Sequence, residues 1–268
     1  MRSIFALILP VLIPALLYGQ ACTIKNTAFK SGETITYKIY YNWGMIWMAA
    51  GEVTFKAELG EFKGKPAWHF SGTGGTYEKY DWFYKVRDKF ESYADTASLK
   101  PFRFVRDQNE GSTSIYEECL FSFKKKKAYS VIRKDKKTKL DSVSITDCTI
   151  DVMTAIYYAR CLDFSSYKVK DTIPMSLYLE NQVYPIYIRY MGKEVHDLEG
   201  FGKFNCIKFR PKLIEGTIFK GGEDMTVWVT DDKNRLPLYV ETPIVVGKIK
   251  VYLTKFSGLR HPFASKIK

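Results

Sequence analysis

The chain has 268 residues, with 41 Lys plus Arg against 29 Asp plus Glu, 46% hydrophobic residues and 16% aromatic residues. That is ample apolar material for a core, and 18 Gly, 10 Pro and five Cys over this length exclude collagenous, disordered and knottin-like classes. Three histidines leave little for acid–base catalysis.

Met1 and Arg2, the uncharged apolar run Ile4–Leu17 and the small residues Gly19 and Ala21 predict a secretory signal peptide over residues 1–21. The run is shorter than the roughly 20 apolar residues of a membrane span, and Pro10 and Pro14 weaken its helix. No later segment is as apolar, so no transmembrane segment is expected in the mature chain. Cys22 directly follows the cut and raises the question of a lipid anchor, but Gly19 stands where lipoprotein signals carry Leu, which argues against one. Export turns the formal net charge of +12 away from nucleic acid and toward anionic lipid head groups, lipopolysaccharide or acidic glycans. Cys22, Cys119, Cys148, Cys161 and Cys206 are an odd set in an oxidising compartment, so at least one stays outside an intramolecular disulfide. Without Cys-x-x-Cys or a Cys/His cluster, no metal site is expected.

Most of the remaining chain reads as strand. Glu33 to Trp43, Glu52 to Leu59, Ala67 to Gly72, Lys89 to Ala94, Thr113 to Phe123, Ser176 to Ile188, Cys206 to Leu213, Met225 to Thr230 and Lys248 to Phe256 are rich in aromatic and β-branched residues and bounded by turn residues. Gly44 and Gly51 predict a tight bend and a bulge around Met45 to Ala50. Gly72-Thr73-Gly74-Gly75 lacks the following helix of a phosphate-binding loop and reads as an ordinary loop. Tyr77, Tyr80, Trp82, Phe83 and Tyr84 crowd the next stretch, and strand alternation would put Tyr80, Trp82 and Tyr84 on one face. Lys124 to Lys127 and Arg133 to Lys139 read as two lysine-rich turns between strands, solvated and protecting an edge.

One segment has helical period: Ile150, Met153, Tyr157 and Cys161 predict a helix over Thr149 to Cys161, capped by Asp147 or Thr149. Val152, Ile156 and Ala159 widen its apolar stripe, so it belongs against the concave face of a curved sheet. The predicted fold is mainly β, a curved antiparallel sheet or half-closed barrel around one central helix, in one domain over 22–268. A shift of 136 residues aligns Asp88 with Asp224, Asp95 with Asp231, Pro101 with Pro237, Gly111 with Gly247 and Tyr116 with Tyr252, which points to two pseudo-repeated halves.

Specific stretches carry a family resemblance: Gly32-Glu33-Thr34-Ile35-Thr36-Tyr37, Trp43, Ala50-Gly51-Glu52, Asp151 to Arg160, and Val227-Trp228-Val229-Thr230-Asp231-Asp232 leading to Leu236-Pro237. In that order they resemble the bacterial "domain of unknown function 3108" family. The resemblance implies an exported envelope protein of Gram-negative bacteria, periplasmic or outer-membrane associated, with a mostly antiparallel β fold, and it carries no activity to transfer.

The sequence holds no Gly-x-Ser-x-Gly elbow, no His-Glu-x-x-His and no Rossmann fingerprint. His69 alternates away from Trp68 and Phe70, His196 reads as part of a polar turn, His261 lies in the C-terminal tail, and Asp231-Asp232 reads as a strand-ending turn. No catalytic residue and no cofactor is expected. The aromatics point instead to a non-enzymatic extracytoplasmic binding or carrier protein, holding a lipid-like or glycan ligand in the concave face through Trp43, Trp47, Tyr80, Trp82, Tyr84 and Tyr157. The alternative is a structural or assembly factor that docks to envelope proteins or anionic surface polymers through its basic hairpins.

Overall fold

The computed structural model describes residues 24–43, 46–134, 137–215 and 221–267. The predicted signal peptide and Cys22 lie outside the described residues, as does the side chain of Trp43.

Among the described residues, fifteen strands form a single open sheet. The first eight are β1 (Glu33–Trp43), β2 (Ile46–Phe62), β3 (Lys65–Thr76), β4 (Val86–Asp95), β5 (Pro101–Glu110), β6 (Thr113–Ser122), β7 (Lys127–Lys134) and β8 (Lys137–Ser144). Each pairs antiparallel with the next. The rest are β9 (Thr149–Asp151), β10 (Thr172–Leu179), β11 (Gln182–Leu198), β12 (Gly202–Pro211), β13 (Thr226–Thr230), β14 (Pro237–Pro243) and β15 (Lys248–Ser257). They form a second meander whose last strand pairs with β1, so the two runs meet through β1 and β15 and leave β8 and β9 as edges. Among the described strands only the β9–β10 pair is parallel, because the helix α1 (Val152–Arg160) intervenes.

Ile46–Ala50 extends β2 rather than forming a bend, and the register slips beside Gly51 as a bulge. Gly72 to Gly75 is strand, not loop, and runs within β3. The reason is backbone proximity: a Cβ on Gly51 would stand 2.2 Å from the Gly75 carbonyl oxygen, so β2 and β3 approach there only without side chains. Ser176 to Ile188 is two strands, separated by Glu180 and Asn181, both at positive φ (51° and 54°).

The helix is shorter than its periodicity implies. Thr149 to Asp151 pairs with β10, and the Asp151 carboxylate accepts from the Thr154 amide (2.9 Å) and hydroxyl (2.8 Å), so Asp151 is the N-cap in place of Asp147 or Thr149. Cys161 is the C-cap. Met153 and Tyr157 pack with Phe29, Trp68 and Phe70, and the Tyr157 and Phe70 rings stack at 4.0 Å. Tyr158, together with Ile150, joins a second cluster with Ile173, Ile188, Ile207 and Phe209. Both meanders therefore bury side chains against this one segment.

The far strands also meet through side chains. Arg106 on β5 pairs with Glu117 on β6 at 3.0 Å, and Glu117 accepts from the Tyr178 hydroxyl on β10 at 2.6 Å. Tyr178 and Asn181 in turn contact the Ser130 hydroxyl on β7 at 2.6 and 3.0 Å. All but Asn181 are buried, so this is a desolvated polar latch between β10 and the β5–β7 ladder, with which β10 shares no backbone pairing.

Candidate functional site

Alternation along β1 to β4 puts Val53 and Phe55, Gly72 and Gly74, and Val86 and Phe90 on the face that looks toward α1. With Ile39, Ile249 and the helix residues Val152, Met153 and Ile156 they enclose a cavity of about 530 Å³. Its depth comes from missing side chains. A Cβ on Gly74 would meet Val53 at 3.4 Å and the Glu52 carbonyl oxygen at 3.7 Å, both ordinary contact distances, so a larger residue there would project into the space.

The polar lining, Thr76, Tyr84, Asp88 and Glu110, gathers at the end where β3 turns into β4 and β5 ends. Asp88 and Glu110 are close neighbours, and burial raises both carboxyl pKa values above the ordinary range; for Glu110 the nearby Asp88 charge adds to this. The Tyr84 hydroxyl is raised for the same reasons, burial first and the two carboxylates next. One end of an otherwise apolar cavity thus carries carboxyl groups that hold protons more tightly than free ones.

Among the described side chains, the sequence-predicted residues are not brought together. Residues 77–85 are not a strand: Glu78–Tyr80 is a 3-10 turn, so alternation does not put Tyr80, Trp82 and Tyr84 on one face. Tyr84 lines the cavity, whereas Trp82 is 84% exposed. Tyr157 is core, 1% exposed. Trp47 sits on the opposite face of the sheet: Asn42, its β1 partner, pairs with Lys248, while the cavity residue Ile249 pairs with Tyr41. There Trp47 lies beneath the Lys250 ammonium, in a shallow cleft with Tyr40, Phe201 and Tyr252. The aliphatic and glycine lining escaped notice, although Gly72 and Gly74 at alternate positions of a strand opposite Phe55 and Val53 were its signal.

The histidines have other engagements. His69 faces away from the cavity, with Glu91 at 3.1 Å and stacked on Tyr93. His196 lies within β11, not in a turn, and stacks on Trp228 and Tyr239. His261 Nε2 is 2.7 Å from the Thr27 carbonyl. Asp232 closes the turn after β13 by accepting from Asn234 N, and among the described residues no cluster of metal-ligating side chains occurs. Cys148 is disulfide-bonded, while Cys119, Cys161 and Cys206 are free and buried.

A family model described as "Protein of unknown function (DUF3108)" matches residues 36–254. The chain belongs to that family. Among curated proteins, none matches this DUF3108 chain. Among solved structures it is similar to a beta-barrel-like protein of domain of unknown function DUF1849 from Brucella abortus, at 9% identity and a TM-score of 0.57, covering 87% of this chain and 98% of that one. The likeness is one of fold. No helix among the described residues is long and apolar enough to cross a membrane.

Proposed function

We propose that this DUF3108 protein is a non-enzymatic, extracytoplasmic binding or carrier protein that holds a lipid-like ligand between the inner face of its sheet and α1. The observation that carries this reading is the cavity itself. At about 530 Å³ it falls within the roughly 300–1,000 Å³ of small-molecule sites, and its walls are Val53, Phe55, Phe90, Val152, Met153 and Ile156. A sugar would need hydrogen-bonding groups spread around its ring, but here they stand at one end only. An acyl chain lying along the walls, with a hydrogen-bonding head at Asp88 and Glu110, matches that distribution. Favouring a non-enzymatic role, all three histidines lie away from the cavity and are engaged elsewhere.

The test is a fluorescence titration with cis-parinaric acid. The protein should bind it with saturable enhancement, and Gly74→Leu should abolish that enhancement while leaving the circular dichroism spectrum unchanged. Absence of binding by the unaltered protein, or full binding by Gly74→Leu, rejects the reading.

The same proposal takes the two meanders as duplicated units. The 136-residue offset superposes β4, β5 and β6 on β13, β14 and β15, and it equates positive-φ Leu99 (56°) with Arg235 (46°) and Gly111 (58°) with Gly247 (87°). Non-glycine residues seldom adopt positive φ, so the first coincidence is more specific than the shared prolines.

A further inference from the structure

The turn after β1 and the turn after β3 lie on the same edge of the sheet, because alternate turns of an antiparallel meander share an edge. The turn before β15 joins them, since Lys248 at the start of β15 pairs with Asn42 at the end of β1. These three neighbouring turns expose Ile46 (69%), Trp82 (84%), Phe83 (57%), Val245 (50%) and Val246 (68%). In the same part of the sheet, the opposite-edge turns at Lys63–Gly64, Thr96–Lys100 and Phe123–Lys126 contribute none of the exposed large apolar side chains. The polar end of the cavity, at Thr76 and Tyr84, lies at this same apolar edge.

We infer that this edge docks on the surface of an anionic lipid bilayer, with Trp82 and its neighbours entering the head-group region and the cavity mouth facing the membrane. The inference rests on the reading of the cavity as a site for a lipid-like ligand. Charge complementarity selects the occupant: Lys79, Lys85, Lys134, Lys137 and Lys248 are exposed along the same edge and take part in none of the ion pairs of the described residues; in the turn that carries Trp82, exposed Glu78 stands against Lys79 and Lys85, and Asp81 is neutralised by Arg87 at 2.7 Å. Aromatic and aliphatic tips ringed by lysine match an interfacial anchor, in which the rings sit at head-group depth and the ammonium groups reach anionic phosphates. An apolar patch kept in water would otherwise be a liability.

The experiment is flotation of the purified protein with vesicles of phosphatidylcholine alone and of phosphatidylcholine mixed with phosphatidylglycerol. Binding is expected to the mixed vesicles and to weaken with salt. The double variant Trp82→Ala/Phe83→Ala should lower the bound fraction by at least about fivefold, with its melting temperature and cis-parinaric acid binding retained. Leu59→Ala, at an exposed position away from these turns, should leave flotation unchanged. No flotation with mixed vesicles, or equal flotation of the double variant, overturns the docking. A protein that binds cis-parinaric acid but does not float loses the docking and keeps the cavity reading; one that floats but does not bind it keeps the docking alone.

Discussion

Arg160, the last residue of α1, and Glu33, the first residue of β1, form a doubly hydrogen-bonded ion pair (Nη1–Oε1 2.6 Å, Nη2–Oε2 2.9 Å) at 2% and 0% exposure. Arg160 also donates through Nε to the Asn234 carbonyl at 3.1 Å, so one guanidinium joins the helix, the first strand and the turn before β14. A guanidinium fork satisfies these partners in one plane, which an ammonium cannot do. At the other end of the helix, the Asp151 carboxylate takes the Ser92 hydroxyl on β4 at 2.7 Å. These two polar anchors fix the helix ends, and the apolar contacts between them fix its face.

Breaking the pair from one side leaves a buried charge alone. Arg160→Met should therefore destabilise the protein by about 3–5 kcal/mol, measured by urea unfolding. The double variant Arg160→Met/Glu33→Gln should cost less than the two single changes combined. Additive losses would show the two groups to be uncoupled.

Tyr157 tests whether the predicted site residue is core. Its hydroxyl is buried with no hydrogen-bond partner among the described atoms, and burial raises its pKa well above the ordinary range. Tyr157→Phe should keep or raise stability, by up to about 1 kcal/mol, whereas Tyr157→Ala should cost about 3–5 kcal/mol. A strongly destabilising Tyr157→Phe would reveal a partner for the hydroxyl.

Trp82 behaves oppositely. At 84% exposure, Trp82→Ala should change unfolding stability by no more than about 0.5 kcal/mol. A larger loss in thermal melting would assign Trp82 to the core.

Asp88 and Glu110 make a pH prediction. Their folded pKa values are raised, so the folded state holds protons the unfolded chain has released, and these groups cost stability as pH climbs from the ordinary carboxyl range through the raised values. Glu110→Gln should therefore raise the melting temperature at neutral pH and lose that advantage in acid, below the ordinary carboxyl range. The same increment at both pH values would refute the shift.

The free thiols should be inert. Burial pushes Cys119 and Cys206 up to about 12 and also raises Cys161, so little thiolate is present at neutral pH. A disulfide reagent should modify them only after denaturant is added, and rapid labelling of the native protein would contradict their burial.

The β content, the strand Glu33–Trp43 and the existence of a helix near residue 155 were legible in residue order, because side-chain periods of two and of about 3.6 are local properties. The family, too, was legible in short runs spread over the chain. Local pattern failed where backbone conformation departs from residue preference. The Glu180-Asn181 turn takes positive φ without glycine, which hid the break between β10 and β11. Gly72 to Gly75 stays in a strand because β2 and β3 touch there.

What only the tertiary structure decided is which aromatics are core, which are rim and where the empty space lies. Tyr157 and Trp82 are equally apolar in sequence, yet one is sealed against Phe70 and the other projects from a turn. A cavity belongs to no residue. It arises where β2, β3, β4 and α1, set by contacts distant in sequence, enclose more volume than Gly72 and Gly74 can fill.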